Sequence, residues 1–327
     1  MRILVTGATG KVGQACIAEI LESPNFENAS IVALCHNRTL QSSDRIEIIK
    51  GSIADQETVI SALKEVTHVI HLATCKETPE TVMDVTVKGL FWLLEECRKS
   101  DEFKHFLLVG GDASMGHFFY NHPFPVTETQ KHTAYPGCYA LSKVLEEVML
   151  EQYQIQYDFP GTCLRAPWIM EKDDFKFSLS FGKDVFGGPV WRELVDTNEA
   201  DQYHKNGKIP LMLDSKEIPI KRNFVHVDDL VRAILCTILN PNSAKGHTFN
   251  ICMDEPVDYG KVSQYLKETR NIESVPVKTP YCSTWLDNSK AKFLLDWSPE
   301  VDLHELIDRA WDYKRKDEDI RKIWYPG

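Results

Sequence analysis

Residues 1–21, MRILVTGATGKVGQACIAEIL, decide how the rest of the chain is read. Residues 3–6 are a β-favouring apolar run, and a helical pattern of apolar residues occupies 12–22. Between them stand Gly7, Gly10 and Gly13. Glycines at a strand-to-helix junction permit a tight turn and let backbone approach a pyrophosphate, which the free N–H groups and positive dipole of the helix N-terminus then hold. The expected cradle is Gly7, Thr9, Gly10, Lys11, Val12 and Gly13, with an ordinary structural turn as the plain alternative.

The same alternation continues outward. Strand patterns recur at 30–34, 46–49, 68–72, 106–109 and 162–164, with helical patterns near 56–64, 79–99 and 135–153. Strands that read as continuous apolar runs between helices predict a parallel sheet covered on both faces, an α/β fold of the doubly wound, Rossmann type. After about Arg165 the texture changes to an aromatic- and proline-rich stretch, 167–221. RNFVHVDDLVRAILCTIL then resumes the earlier manner as a short strand and a helix, with Asp228 and Asp229 placed to suit the helix dipole. The predicted organisation is a dinucleotide-binding domain, 1–166 with 222–252, and a smaller α/β substrate-binding domain, 167–221 with 253–327.

Composition narrows the function classes. A net charge of −11 over 327 residues disfavours a nucleic-acid partner, whose affinity rests on Lys and Arg contacts to phosphates. No apolar run approaches the roughly 18 residues of a membrane span. With a strand pattern rather than a leader at the start, a cytoplasmic protein is expected. The nine cysteines are scattered and never spaced C-x-x-C, and the eleven histidines form no H-x-x-x-H pair, so reduced thiols and no metal are expected.

Tyr139-Ala-Leu-Ser-Lys143 carries the chemistry. Residues four apart share one helix face, so the lysine ammonium comes within reach of the phenol. A free tyrosine, with a pKa near 10, is a poor base at neutral pH, and a neighbouring cation favours its phenolate. Y-x-x-x-K occurs by chance in many helices; here it follows the fifth strand of a chain that opens on the glycine turn.

Together, TGATGKVG, YALSK, LRAPWIM (164–170), RNFVHVDD (222–229) and WLDNSKAKFLLDW (285–297) resemble the extended short-chain dehydrogenase/reductase family, also called the NAD-dependent epimerase/dehydratase family. The resemblance spans essentially the whole chain. It implies a catalytic pair, Tyr139 as acid/base and Lys143 also holding the nicotinamide ribose, on a dinucleotide lying across the strand C-termini. It further implies cofactor contacts from His36 and Arg38 after the second strand, Ser52 and Ile53 after the third, Leu72, Ala73, Thr74 and Lys76 after the fourth, and Pro167 and Ile169 after the sixth. VALCHNR has no carboxylate for a ribose 2′-hydroxyl, while Arg38 suits a 2′-phosphate; NADP or NAD is expected, with NADP favoured. A homodimer through the helices at 79–99 and 135–153 is also implied.

Two departures stand out. FLLVGGDASMGHFF (106–119) puts Gly111 where the family usually carries a serine or threonine hydroxyl beside the tyrosine. Ser114 and Asp112 are the candidate catalytic replacements, Ser114 also as a substrate contact, unless DAS simply caps a short helix. Secondly, nucleotide-sugar enzymes of the family meet the diphosphate with two arginines. Arg222 fits the first, but VKTPYCSTW offers only Lys278 for the second, and lysine lacks the bidentate fork. The expectation is an NAD(P)-dependent oxidoreductase acting at a secondary alcohol or carbonyl of a small polar, carbohydrate-type substrate, with Arg192 and Arg222 as substrate contacts and Trp168, Trp191 and His204 shaping the pocket. The alternatives are a nucleotide-sugar 4-epimerase with tightly bound NAD, and a non-catalytic dinucleotide-binding regulator.

Overall fold

A computed structural model describes residues 1–122, 125–183, 187–316 and 319. The strands in chain order are β1 (Arg2–Thr6), β2 (Ser30–Cys35), β3 (Ile46–Lys50), β4 (His68–His71), β5 (His105–Gly111), β6 (Gly161–Ala166), β7 (Trp168–Met170), β8 (Ile209–Leu213), β9 (Lys221–Arg222), β10 (Phe224–His226), β11 (His247–Asn250), β12 (Val257–Asp258) and β13 (Ser274–Lys278). Seven of them form one sheet in the order β11-β6-β5-β4-β1-β2-β3, and every pairing in it is parallel. The order reverses at β1, which places the first glycine turn at the switch point where doubly wound sheets bind ligands.

Both faces of this sheet are buried, and successive residues serve opposite cores. Ile3, Val5, Ile31, Ala33, Leu107 and Val109 enter one apolar cluster, while Leu4, Val32, Leu34, Phe106 and Leu108 enter another. That alternation explains why the strands read as unbroken apolar runs. The first cluster is covered by α1 (Lys11–Glu22) and the helix Val227–Leu239. The second is covered by α2 (Gln56–Ala62), α4 (Gly89–Cys97) and α5 (Cys138–Tyr157).

The helix expected over 79–99 is one helical run with an internal change of pitch: α3 (Pro79–Val82), a π-helical stretch Met83–Lys88, then α4. Within the π stretch Thr86 Oγ1 accepts a hydrogen bond from Cys75 N at 2.9 Å, which anchors the loop after β4. Helix α5 begins at Cys138 rather than 135, because Pro136 and Gly137 immediately precede it. The strand expected at Phe224–His226 does form, but it pairs with β7 outside the main sheet. β11, which sequence reasoning did not single out, completes the sheet edge beside β6.

A third cluster gathers Met170, Phe175, Phe181, Trp191, Ile209, Met212, Phe224, Tyr259, Val301 and Ile307. Trp191, expected to line a pocket, is fully buried there and donates from its indole to Ser178 O at 2.6 Å. Ala291, Leu295 and Trp297 pack instead with the first cluster, under the main sheet.

Candidate active site

Because every pairing in the sheet is parallel, the loops that follow β1 to β6 open on one edge, and this topology alone collects most of the expected site residues. Gly7, Thr9 and Gly10 form the turn after β1, and Lys11, Val12 and Gly13 open α1. Gly7 has φ +66°, and a side chain there would put Cβ 2.9 Å from Ala73 N. At Gly13 a Cβ would lie 2.4 Å from Gly7 O. The glycines thus let turn, helix and β4 loop approach backbone to backbone. Thr6 Oγ1 fastens the same junction, accepting from Leu72 N and Ala73 N at 3.1 Å each. Helix α1 is N-capped by Gly10, which has no side chain to close the helix end, so its N-terminus faces the turn. This cradle fits a dinucleotide pyrophosphate. The Lys11 side chain leaves it, donating to Ile169 O at 2.9 Å and pairing with Asp174.

His36 and Arg38 follow the end of β2, His36 exposed and Arg38 half-buried; Ser52 and Ile53 follow β3, where Ser52 Oγ accepts from Ala54 N at 3.2 Å and Ile53 is core. Thr74 and Lys76 lie in the β4 loop, and Pro167 and Ile169 follow β6.

Tyr139 stands in the first turn of α5, where its N–H donates to Glu77 Oε2 at 3.2 Å, so a carboxylate from the β4 loop caps the helix. The Lys76 ammonium lies over its ring at 4.2 Å from the centroid, and that of Lys143 at 5.8 Å. Lys143 is almost fully buried and donates to Val109 O at 3.4 Å. Beneath it lies Glu146, wholly buried, with Oε2 at 2.8 Å from Nζ and Oε1 at 3.8 Å from His71 Nε2. His71 Nδ1 in turn meets Thr6 Oγ1 at 2.8 Å. Burial, partly opposed by Lys143, lifts the Glu146 carboxyl to about 7, and burial together with Lys143 lowers the His71 imidazole to about 3. Burial also works against the Lys143 charge, but Glu146 and Tyr139 more than offset it and hold the ammonium above its usual range.

The two candidates from the β5 loop point elsewhere. Ser114 is wholly buried, with Oγ at 3.0 Å from Gly111 O and 2.9 Å from Glu147 Oε1. Glu147 is gripped by Arg165 (Nη2 to Oε2, 2.7 Å) and by His132 Nε2 at 2.9 Å. Although burial alone would raise its carboxyl, the Arg165 charge and the hydrogen bond with His132 hold it at about 2. Asp112 pairs with Nδ1 of His117, whose Nε2 lies 2.8 Å from Arg222 Nη2. A guanidinium can only donate, so Nε2 accepts, Nδ1 carries the proton, and His117 is neutral. Burial lowers the His117 pKa, in keeping with that tautomer. Asp112 is therefore linked to Arg222 through the imidazole of His117.

Arg222 itself is fully buried, its Cζ 4.0 Å from the Phe118 ring centroid and 4.2 Å from that of Trp168, with Nη1 donating to Gly188 O at 3.2 Å. Its Nε is buried with no hydrogen-bond partner among the described residues. Arg192 donates to Phe181 O at 3.1 Å and to Asp201 at 2.8 Å, and nothing brings it to Tyr139. Sequence reasoning missed Glu77, Glu146 and His117: Glu77 meets Tyr139 from 62 residues away, whereas the Lys143–Glu146 spacing of three and the Asp112–His117 spacing of five are local, and only burial sets those residues apart from solvated ones.

A family model described as NAD dependent epimerase/dehydratase family matches residues 3–170. The chain belongs to that family. It is accordingly an enzyme of short-chain dehydrogenase/reductase type. Among relatives, it is 25% identical to a putative UDP-glucose 4-epimerase of Methanocaldococcus jannaschii over 96% of this chain and 98% of that one. It is 23% identical to vestitone reductase of Medicago sativa, over 98% and 94%. A short-chain dehydrogenase/reductase superfamily protein from Agrobacterium tumefaciens, solved with bound NAD, shares the fold with a TM-score of 0.77 at 19% identity, covering 95% of this chain and 96% of that one. No described helix is long and apolar enough to cross a membrane, and no group of three or more described residues forms a metal cluster.

Proposed function

We propose that the protein is a dehydrogenase or reductase acting at a secondary alcohol or carbonyl of a small carbohydrate-type substrate that carries no nucleotide diphosphate. The observation carrying this reading is the burial of Arg222 in an aromatic box, linked to Asp112 through His117. The bound nicotinamide supplies the hydride acceptor or donor. The chain's own residues do the rest: Tyr139 exchanges the proton of the substrate oxygen, Lys143 stays cationic beneath it, and Glu146 holds that ammonium in place. Gly7, Gly10, Gly13 and the α1 N-terminus hold the pyrophosphate, with the β2, β3, β4 and β6 loops along the rest of the cofactor.

NADP is the favoured cofactor, supported by Cys35, His36, Asn37 and Arg38 standing where an NAD-specific carboxylate would be. The division into 1–166 with 222–252 and 167–221 with 253–327 is part of the same proposal. So is a homodimer, supported by an exposed stripe on α5, Leu141, Val148 and Ile155, spaced by seven and flanked by exposed Phe91 on α4.

The second reading, a nucleotide-sugar 4-epimerase with tightly held NAD, is favoured by the similarity to the M. jannaschii relative and by Lys76 beside Tyr139. A screen of sugars, sugar acids and nucleotide sugars with both cofactors, followed by nicotinamide absorbance, separates the two. Stoichiometric cofactor reduction with a non-nucleotide substrate, abolished in Tyr139→Phe, is the expected result. A response confined to nucleotide sugars, with co-purifying cofactor that is not consumed, decides for the epimerase.

A further inference from the structure

Beside the Tyr139 hydroxyl the protein places a glycine, Gly111, and no side chain. Gly111 ends β5 in extended backbone, φ −155° and ψ 151°, a conformation any residue adopts. A Cβ at Gly111 would meet only ordinary contacts: Ala166 O at 3.7 Å, the Tyr139 hydroxyl at 3.8 Å and Ala113 N at 4.0 Å. Its neighbour is different, because a Cβ at Gly110 would lie 2.9 Å from Cys163 Sγ and 3.1 Å from Glu147 Oε1. Packing thus requires glycine at 110, whereas neither packing nor backbone requires it at 111. A serine would fit at 111 and reach the phenol, yet the chain carries none. Ser114 is held by Glu147 and Asp112 by His117, so neither takes that place. No described protein group hydrogen-bonds the Tyr139 hydroxyl.

Charge that develops on a reacting oxygen is stabilised best by two donors, and removing one such donor costs roughly 10²-fold or more in rate. Tyr139 is one donor here. We propose that Gly111 is a specificity-determining residue whose missing side chain admits a hydroxyl of the substrate, so that the preferred substrates are vicinal diols and α-hydroxy carbonyls. In oxidation the carbinol C–H leaves as hydride to the bound nicotinamide, the O–H proton passes to the Tyr139 phenolate, and the C=O forms. The neighbouring substrate hydroxyl, in the space beside Gly111, donates to the reacting oxygen and is unchanged by the reaction. This inference rests on the oxidoreductase reading above.

The test compares wild type, Gly111→Ser and Gly111→Ala on paired probes: butane-2,3-diol against butan-2-ol with oxidised cofactor, and hydroxyacetone against acetone with reduced cofactor. Cofactor binding is measured separately by the fluorescence of NADH and NADPH, and near-UV circular dichroism checks that each variant is folded. In wild type, kcat/KM favours the hydroxylated member of each pair by about 10²-fold. Gly111→Ser narrows that ratio at least tenfold by improving the mono-functional probe, while Gly111→Ala, which adds a Cβ but no donor, does not improve it. Equal treatment of the paired probes by wild type, a ratio that Gly111→Ser leaves unchanged, or cofactor binding with no turnover of any probe overturns the proposal and leaves the oxidoreductase reading standing. Failure to bind either cofactor overturns that reading, and this proposal with it.

Discussion

Lys143 is the residue on which the site's electrostatics turn, because its ammonium is buried with one carboxylate for company. Glu146 has no compensating arginine, unlike Glu147 one position on, and the two adjacent acids shift in opposite directions for that reason. A carboxyl raised from 4.5 to about 7 binds its proton more tightly in the folded state than in the unfolded one. Its contribution to stability is therefore complete below about pH 4.5 and is lost as pH rises through 7. Glu146→Gln removes this titration. Urea denaturation at pH 5, 6.5 and 8 is expected to show the variant gaining on wild type as pH rises, by on the order of 2 kcal/mol across the range. A constant difference would mean that Glu146 is ionised throughout. His71, lowered to about 3, contributes in the opposite sense, losing stability only as pH falls from about 6.5 through 3, and it is common to both proteins. The YALSK pair was legible from its spacing, but the acid beneath Lys143 was not, since nothing in VLEE distinguishes a solvated glutamate from a buried one.

At the scale of elements, the βα turn after β1 is where sequence and structure agree most closely. A helix can sit this near a strand only if its facing residue lacks a side chain, and Gly13 is that residue. Gly13→Ala forces Cβ into Gly7 O and should destabilise the protein by about 1 to 3 kcal/mol. Cofactor affinity, read by NADH or NADPH fluorescence, should fall with it, because the first turn of α1 moves away from the pyrophosphate. Gly10→Ala, whose Cβ meets only Gly7 O at 3.2 Å, is expected to be milder on both measures. The start of α5 teaches the converse. Its local sequence supplies no cap, and Glu77 reaches it from a loop 62 residues away in the chain.

Across the whole molecule, the Asp112–His117–Arg222 relay joins the loop after β5 to β9 and to the cluster around Phe224 and Tyr259. Asp112→Asn removes the carboxylate linked to a fully buried guanidinium, and the expected loss is about 3 to 5 kcal/mol in urea denaturation. A loss below about 1 kcal/mol would indicate that Arg222 reaches solvent or a ligand after all. The Leu141–Val148–Ile155 stripe is an apolar surface at helical period, and it supports a second copy as its cover. Sedimentation should find a dimer in wild type and a 37.4 kDa monomer in Leu141→Glu/Val148→Glu, with the far-UV spectrum retained.

The parallel doubly wound sheet, the glycine turn after β1 and the shared helix face of Tyr139 and Lys143 were determined by the sequence alone. Each rests on interactions of short range, namely side-chain period, backbone freedom and helical spacing, which a linear string records directly. Only the tertiary structure decided what FLLVGGDASMGHFF does. Ser114, Asp112 and Arg222 each carried the right functional group at a plausible position, and each proved to be bound by a partner distant in the chain or across the loop: Glu147, His117, and the box of Phe118 and Trp168. Burial and pairing fix whether a polar side chain is free to meet a ligand, and both are properties of packing, which residue identity does not encode. What remains beside Tyr139 is the space at Gly111.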